Sequence, residues 1–521
     1  MKLKLICIAL ILTSTNFFSQ STAIPDAVFE QKLIDLGYDT DGLNGSILNA
    51  DAQAVSYLNV QQLGITDLSG IEAFINLTHL FCGFNNLAVL DLSQNLNLLE
   101  LRCSSNNLTS LDLSQNTALG LLFCFDNLLS SLDVTLNTQL YNLVCSLNQI
   151  TTLDVSNNMD LIKLDCGSNQ IASLDLSINT VLEELRCDVN TLTNLDVSNN
   201  TVLQVLISNS NNLSTVDVSQ NLDLFLFDCS QNNITALDVT QNDALIYFDC
   251  GLNQLQNIDI TQNLLLQDFR CHANDFSSLG LDITQNTALT FVSCYNNALS
   301  SLDVTQNTAL TYLACSSNQL TTLDVTQNSA LTECYFSLNA LTSIDLSQNS
   351  NLELMLCNSN QLVDLDLSQN TALYYLNCSS NLLESLNMQN GNNSAMFNSF
   401  FSATFNPDLT CITVDDEVWS TANWTQIDAQ TGFSDDCDAL SVEEYATEKV
   451  RIFPNPASGF VTVSLIEPAK YTIVNSLGQM VLNGELSRGD SQIQLSNLSK
   501  GMYIIDIRSN FGSISKKLII E

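Results

Sequence analysis

Positive charge is scarce in this chain. Its 521 residues include 15 Lys and Arg against 55 Asp and Glu, a formal net charge of −40. Such a surface repels polyanions, which excludes nucleic acid and anionic membranes as natural partners. Histidine is scarcer still, with only His79 and His272. No nucleophile–His pair falls in a recognisable cleft, no cysteines or histidines show zinc-ligand spacing, and there is no Gly-rich phosphate loop. Apart from Leu5 to Leu12 the chain has no candidate for a membrane span, and that run is too short for one. These absences point away from catalysis: no catalytic residue and no metal site can be named.

What is present is repetition. Leu98 to Leu119, LLELRCSSNNLTSLDLSQNTAL, recurs with the skeleton L-x-x-L-x-C-x-x-N-x-L-x-x-L-D-[LVI]-[ST]-x-N. The Cys slot returns every 21 residues from Cys82 to Cys271, slips by two residues near Gly280, and continues from Cys294 to Cys378. Ser208 and Phe336 take the place of Cys in two of the fifteen coils. The Asn three residues after the slot stands in all fifteen, beginning Asn85, Asn106, Asn127, Asn148, Asn169, Asn190, Asn211 and Asn232. A strict period of this kind means a solenoid. Leu101-Arg102-Cys103 alternates inward, outward, inward, as in a short strand. Stacked coils then add one parallel strand each at about 4.8 Å, so fifteen span roughly 70 Å. The Asn sits on the inner side between apolar positions, where its amide must bond the backbone of its own and the neighbouring coil.

This pattern resembles the leucine-rich repeat, with Cys in the third apolar slot of L-x-x-L-x-L-x-x-N-x-L. The 21-residue coil is similar to the cysteine-containing repeats of bacterial internalin-like surface proteins. The resemblance implies a leucine-rich repeat solenoid with short parallel strands and little helix over residues 77–391. The Asn ladder disfavours the alternative, a right-handed parallel β-helix.

The ends read differently. Residues 1–23 have the form of a secretory signal, with Lys2 and Lys4 ahead of a short apolar run. Residues 24–76 read as an N-terminal cap and atypical first repeat. Pro25 and Asp26 start an amphipathic helix with Phe29, Leu33 and Leu36 on one face, and Gly37 ends it. Asp39 to Gly45 faintly resembles a calcium loop, but the spacing is not that of an EF-hand and position twelve is Ala50, so a polar turn is the better reading. Residues 392–440, rich in Phe and Trp, read as a C-terminal cap, with Cys411 and Cys437 as a candidate disulfide. After a linker at 441–448, residues 449–521 carry eight of the fifteen basic residues and alternate as a small β-sandwich. Phe453-Pro454-Asn455-Pro456-Ala457-Ser458-Gly459, Asn475-Ser476-Leu477-Gly478-Gln479, Gly501-Met502-Tyr503 and Lys516-Lys517-Leu518 resemble the C-terminal sorting domain of type IX secretion cargo. That resemblance implies export across the outer membrane, followed by release or surface attachment.

Three columns of the coil could carry function. The Cys column gives one inward thiol per coil, a straight line rather than a tetrahedron, so it reads as core packing. The Asp column, Asp91 to Asp366, faces outward, and neighbours about 5 Å apart repel by about 0.8 kcal/mol in a water-like dielectric. Hydroxyl and amide bonds from the Ser or Thr two residues on would offset that; a row of bound calcium ions is the alternative, and no other cofactor is expected. The strand's outward positions vary from coil to coil, as a recognition surface requires. Arg186, Tyr247, Arg270, Phe291, Tyr312, Tyr335 and Tyr375 are the candidate ligand-binding residues there, being of the types enriched at binding hot spots or exposed aromatics on a strand. The expectation is a secreted or surface-attached recognition protein binding an extracellular protein or glycan. The alternative is a structural surface or matrix component that gathers divalent cations on its acidic columns.

Overall fold

The computed structural model describes residues 21–437, 450–465, 468–509 and 512–521. The expected linker at 441–448 lies outside the described residues, as does the expected signal segment except for its last three residues. Those three differ from expectation. Ser21–Ala23 is a strand paired antiparallel with Ser46–Leu48, and Ile24 behind it is buried, so these three residues belong to the folded cap. The chain divides into two units, residues 1–433 and 434–521.

In the first unit the strand Ser21–Ala23 is followed by helix α1 (Ala27–Asp35). Asp26 caps it, its Oδ1 accepting the amides of Val28 and Phe29 at 2.9 and 3.1 Å. Phe29 and Leu33 are fully buried, closing the end of the core. Leu36, expected on that face, is instead exposed: it is the C-cap residue, and Gly37 at φ 73° turns the chain away directly after it. Glu30 is buried in its place, and its Oε1 accepts the amides of Asn44, Gly45 and Ser46. With Thr40 donating to Asp51, the 39–45 segment is a polar turn tied down by carboxylates.

Seventeen three-residue or shorter strands follow in a single parallel file, from Tyr57–Asn59 to Phe401–Ser402. Each pairs in register with its neighbours, as Leu101 does with Leu80 and Leu122. The file runs one strand beyond each end of the 77–391 repeats, because backbone pairing persists after the side-chain pattern decays. Asn406, inside the expected C-terminal cap, makes the same contacts as the ladder residues: its amide nitrogen donates to the Cys378 and Ala403 carbonyls, and its oxygen accepts from Leu383.

Asn211 shows how a rung works. Its Nδ2 donates to the carbonyls of Cys187 in the preceding coil and Ser208 in its own, at 3.0 and 3.1 Å. Its Oδ1 accepts the amide of Leu192 in the preceding coil at 3.0 Å. One side chain thus satisfies three backbone groups and joins two coils. A second Asn column, Asn95 to Asn370, is wholly buried, and its nitrogens hold carbonyls of the preceding coil, as Asn221 holds those of Val197 and Asn200. Its oxygens meet no donor among the described residues. Between the two ladders lie the leucines and the cysteines. All fourteen cysteines from Cys82 to Cys378 are free and buried, and burial pushes the Cys103 thiol up to about 12. Cys411 and Cys437 are disulfide-bonded.

In the second unit, seven strands from Val450–Ser458 to Gly512–Ile520 form one sheet system around Val461, Val463, Ile473, Ile505 and Leu518. Val450–Ser458 pairs antiparallel with Phe460–Leu465 and parallel with the last strand at Ala457. Asn455 clasps that last strand from both sides, donating to the Lys517 carbonyl and accepting the Ile519 amide.

Two outcomes are expected. Asn211→Ala strips the buried Leu192 amide of its acceptor and takes one donor each from the Cys187 and Ser208 carbonyls, which keep Asn190 and Asn232, so it should cost on the order of 2 kcal/mol in urea unfolding of the solenoid. A thiol reagent should leave Cys82 to Cys378 unlabelled in the native protein, because buried high-pKa thiols are inert, and should label all fourteen in guanidinium.

Candidate functional site

Each coil presents the same three backbone positions on the strand face, so what differs is side chains alone. The structure brings five of the seven candidate residues together. Tyr247, Arg270, Phe291, Tyr312 and Tyr335 come from five successive coils and lie side by side, half-buried. Arg270 sits between two rings, 5.2 Å from the centre of Tyr247 and 4.5 Å from that of Phe291. Phe291 and Tyr312 stack at 4.0 Å and 5° between planes, and Tyr335 follows at 5.3 Å from Tyr312. The Tyr335 hydroxyl donates to Glu333 at 2.5 Å. The other two candidates stand apart. Tyr375 leans on Phe400 of the cap, two coils from Tyr335, and Arg186 lies three coils before Tyr247.

The arginines are not free. Arg270 donates from Nε and Nη2 to both oxygens of Asp268 two residues earlier, at 2.9 Å each. Arg186 Nε is 2.6 Å from Glu184, which also accepts from Lys163 in the preceding coil. Burial pushes Glu184 up, but these two cations outweigh it and hold the carboxyl below its ordinary range. The acid-x-Arg spacing within one strand explains the pairing, since residues i and i+2 share a face. Arg102 repeats the Arg270 arrangement near the other end, between Phe81 and Phe123 and held by Glu100.

Beside the aromatic run are residues that the sequence reading passed over. Asp228 and Asp249 stand directly opposite each other on adjacent strands, and Asp249 is only 7% exposed. Burial pushes Asp249 up to about 7, against the pull of its bond from the Gly251 amide, and the charge of Asp228 adds to the rise. Asp228 is raised by burial too, despite bonds from Ser230. One position past the Cys slot, His272 stacks on Tyr295 at 4.6 Å. Its Nδ1 is buried without a hydrogen-bond partner, and burial followed by the Arg270 charge lowers its pKa. His272 lies flat because the coil beneath has no side chain: a Cβ on Gly251 would come within 2.5 Å of the ring. The missed signal was this third outward column, where Gly167 and Gly251 precede Asp188 and His272 by one coil.

The Asp column behaves differently. Asp238 is typical: its Oδ1 accepts the Thr240 amide at 2.9 Å and the hydroxyl at 2.7 Å. These bonds hold the column's carboxyls below their ordinary range, Asp91 to Asp259 and Asp303 to Asp345 alike. A groove of about 510 Å³ runs along Asp303, Asp324 and Asp345. Among the described residues no three His, Cys, Asp or Glu side chains converge on a point that a metal ion could occupy.

Residues 451–521 match the secretion system C-terminal sorting domain. No curated protein matches the chain. Among solved structures, the functional domain of InlJ from Listeria monocytogenes, described as including a cysteine ladder, is 28% identical with a TM-score of 0.64, covering 96% of this chain and 99% of that one. YopM from Yersinia enterocolitica is 21% identical with a TM-score of 0.55, covering 69% and 84%. The Arabidopsis receptor kinase HAESA, solved with a peptide hormone and a co-receptor, is 18% identical with a TM-score of 0.59, covering 73% and 71%. The fold is a leucine-rich repeat solenoid, and the sorting domain makes the protein one that is secreted or attached at the outer cell surface. Among the described residues no helix is long and apolar enough to cross a membrane.

Asp249 supplies a test of the site's electrostatics. Its folded pKa lies above the ordinary carboxyl value, so the folded state binds the proton more tightly than the unfolded chain. The penalty is absent near pH 4, grows as pH rises toward 7, and is complete above 7. Asp249→Asn should therefore raise stability at pH 8 by on the order of 4 kcal/mol and leave it almost unchanged at pH 4, read by urea unfolding at each pH.

Proposed function

We propose that this protein is a non-catalytic recognition protein that binds an extracellular protein or glycan through the strand face between Tyr247 and Tyr335. The observation that carries the reading is the run of half-buried side chains across five coils, four rings with the Arg270 guanidinium between the first two, on a scaffold otherwise repeated almost unchanged. Rings fixed by stacking and by a pinned arginine lose little side-chain freedom when a ligand covers them, which favours binding. The sorting domain supports the setting, because it delivers the solenoid to the outside of the cell where such ligands are found.

A structural matrix role would put the chemistry on the Asp column instead. There one oxygen of each carboxylate is already engaged by its own turn, as in Asp112, Asp238 and Asp324. The experiment that separates the two roles is binding of the full-length protein to panels of immobilised extracellular proteins and glycans, with and without calcium. A ligand on this face should lose at least tenfold in affinity with Tyr312→Ala and with Arg270→Ala, the size of a hot-spot truncation. Calcium-driven self-association untouched by either change would move the function to the Asp column.

A further inference from the structure

The charges of the strand face do not balance locally. Its cations are all occupied: Arg102 by Glu100, Lys163 and Arg186 by Glu184, and Arg270 by Asp268, at 2.5 to 3.0 Å. What remains is negative. Asp228 and Asp249 stand opposite each other on neighbouring strands, where spacing is about 4.8 Å, and both are largely withdrawn from water. The only cation near them among the described residues, Arg270, has its Nε and Nη2 committed to Asp268. Both aspartates accept only from the turn that follows, Asp228 from Ser230 and Asp249 from Gly251. Next to this pair begins the run of rings from Tyr247 through Phe291 and Tyr312 to Tyr335.

We propose that this part of the face receives an extended basic polypeptide segment, with one Lys or Arg side chain seated between Asp228 and Asp249 and another lying against the Tyr312 and Tyr335 rings. This rests on the recognition reading above and specifies its ligand. Charge complementarity argues for it. A neutral glycan would cover two desolvated carboxylates without neutralising either, which is costly, whereas an ammonium or guanidinium group relieves their repulsion. The rings beyond add cation–π attraction to side chains spaced along an extended chain. The face also runs on from coil to coil, so an extended segment can lie along it and reach both the aspartate pair and the rings.

Titration supplies a second readout. Asp249 is faced by Asp228 from one neighbouring strand, by Arg270 and Asp268 from the other, and by Tyr247 on its own strand, with His272 beside Asp228 and Arg270. The ligand requires the ionised form of Asp249. Its affinity should fall about tenfold between pH 8 and pH 6, the factor expected for a group titrating near 7.

The test is fluorescence anisotropy of a labelled (Lys-Ser)6 peptide with the full-length protein at 0.15 M salt, beside the same peptide with acetylated lysines. Asp228→Asn with Asp249→Asn should weaken binding tenfold or more. Asp238→Asn with Asp259→Asn removes the same charge from the Asp column of the same two coils and should change it less than twofold. The acetylated peptide should not bind. Equal losses from both pairs would reduce the effect to diffuse attraction by a chain of net charge −40 and overturn the proposal, as would absence of peptide binding. A panel ligand that needs Tyr312 while the peptide fails would sink the basic-segment proposal and leave the recognition reading standing. A panel ligand indifferent to Tyr312 and Arg270 would remove the face itself.

Discussion

The rest of the structure depends on one hydrogen-bond arrangement, the asparagine amide that joins each coil to the one before it. Three-residue strands pair too briefly to hold a coil by themselves, and the turn that follows each strand leaves inner carbonyls and amides with no strand partner. The Asn side chain supplies a donor and an acceptor where the core would otherwise contain orphaned backbone groups. Because every rung is alike, coils stack in strict register, and the inner apolar positions fall into continuous columns of Leu and Cys. Removing a rung therefore disturbs two coils at once, in keeping with the nearest-neighbour energetics of repeat proteins.

That uniformity separates stability from recognition. The Asn ladders, the Cys column and the Asp turns repeat with little change, so they can carry the fold without regard to any ligand. The outward strand positions bear almost none of this load and are free to differ. The strand face nonetheless spends stability where its chemistry is concentrated, since two facing aspartates withdrawn from water are destabilising in the absence of a partner. The Asp column shows the opposite design, with each carboxylate made comfortable by its own Ser or Thr.

Much of this was legible from residue spacing. The 21-residue period, the inward–outward–inward strand and the obligatory Asn follow from pattern and from the rule that buried polar groups must be satisfied. The aromatic candidates were visible as a column, and the structure brings Tyr247, Phe291, Tyr312 and Tyr335 together around Arg270. Other features were hidden for physical reasons. Leu36 looked like a core residue because helical periodicity does not show where the chain turns off the helix. Asn406 went unnoticed because a rung needs its backbone environment, not its neighbours' identities. The arginines looked like available anchors because single-residue columns do not reveal that the acid two residues earlier already holds them.

The sequence by itself determined that this chain is a solenoid of leucine-rich coils, capped at its start and followed by a sorting domain, because period and motif are properties of the chain read along its length. Only the tertiary structure decided which side chains meet across coils and how dry they are. Asp228 and Asp249 are 21 residues apart and look like two more acids in an acidic protein. Stacking sets them on adjacent strands, and burial among their neighbours changes their protonation. Proximity and desolvation arise between coils, and spacing within one coil does not encode them.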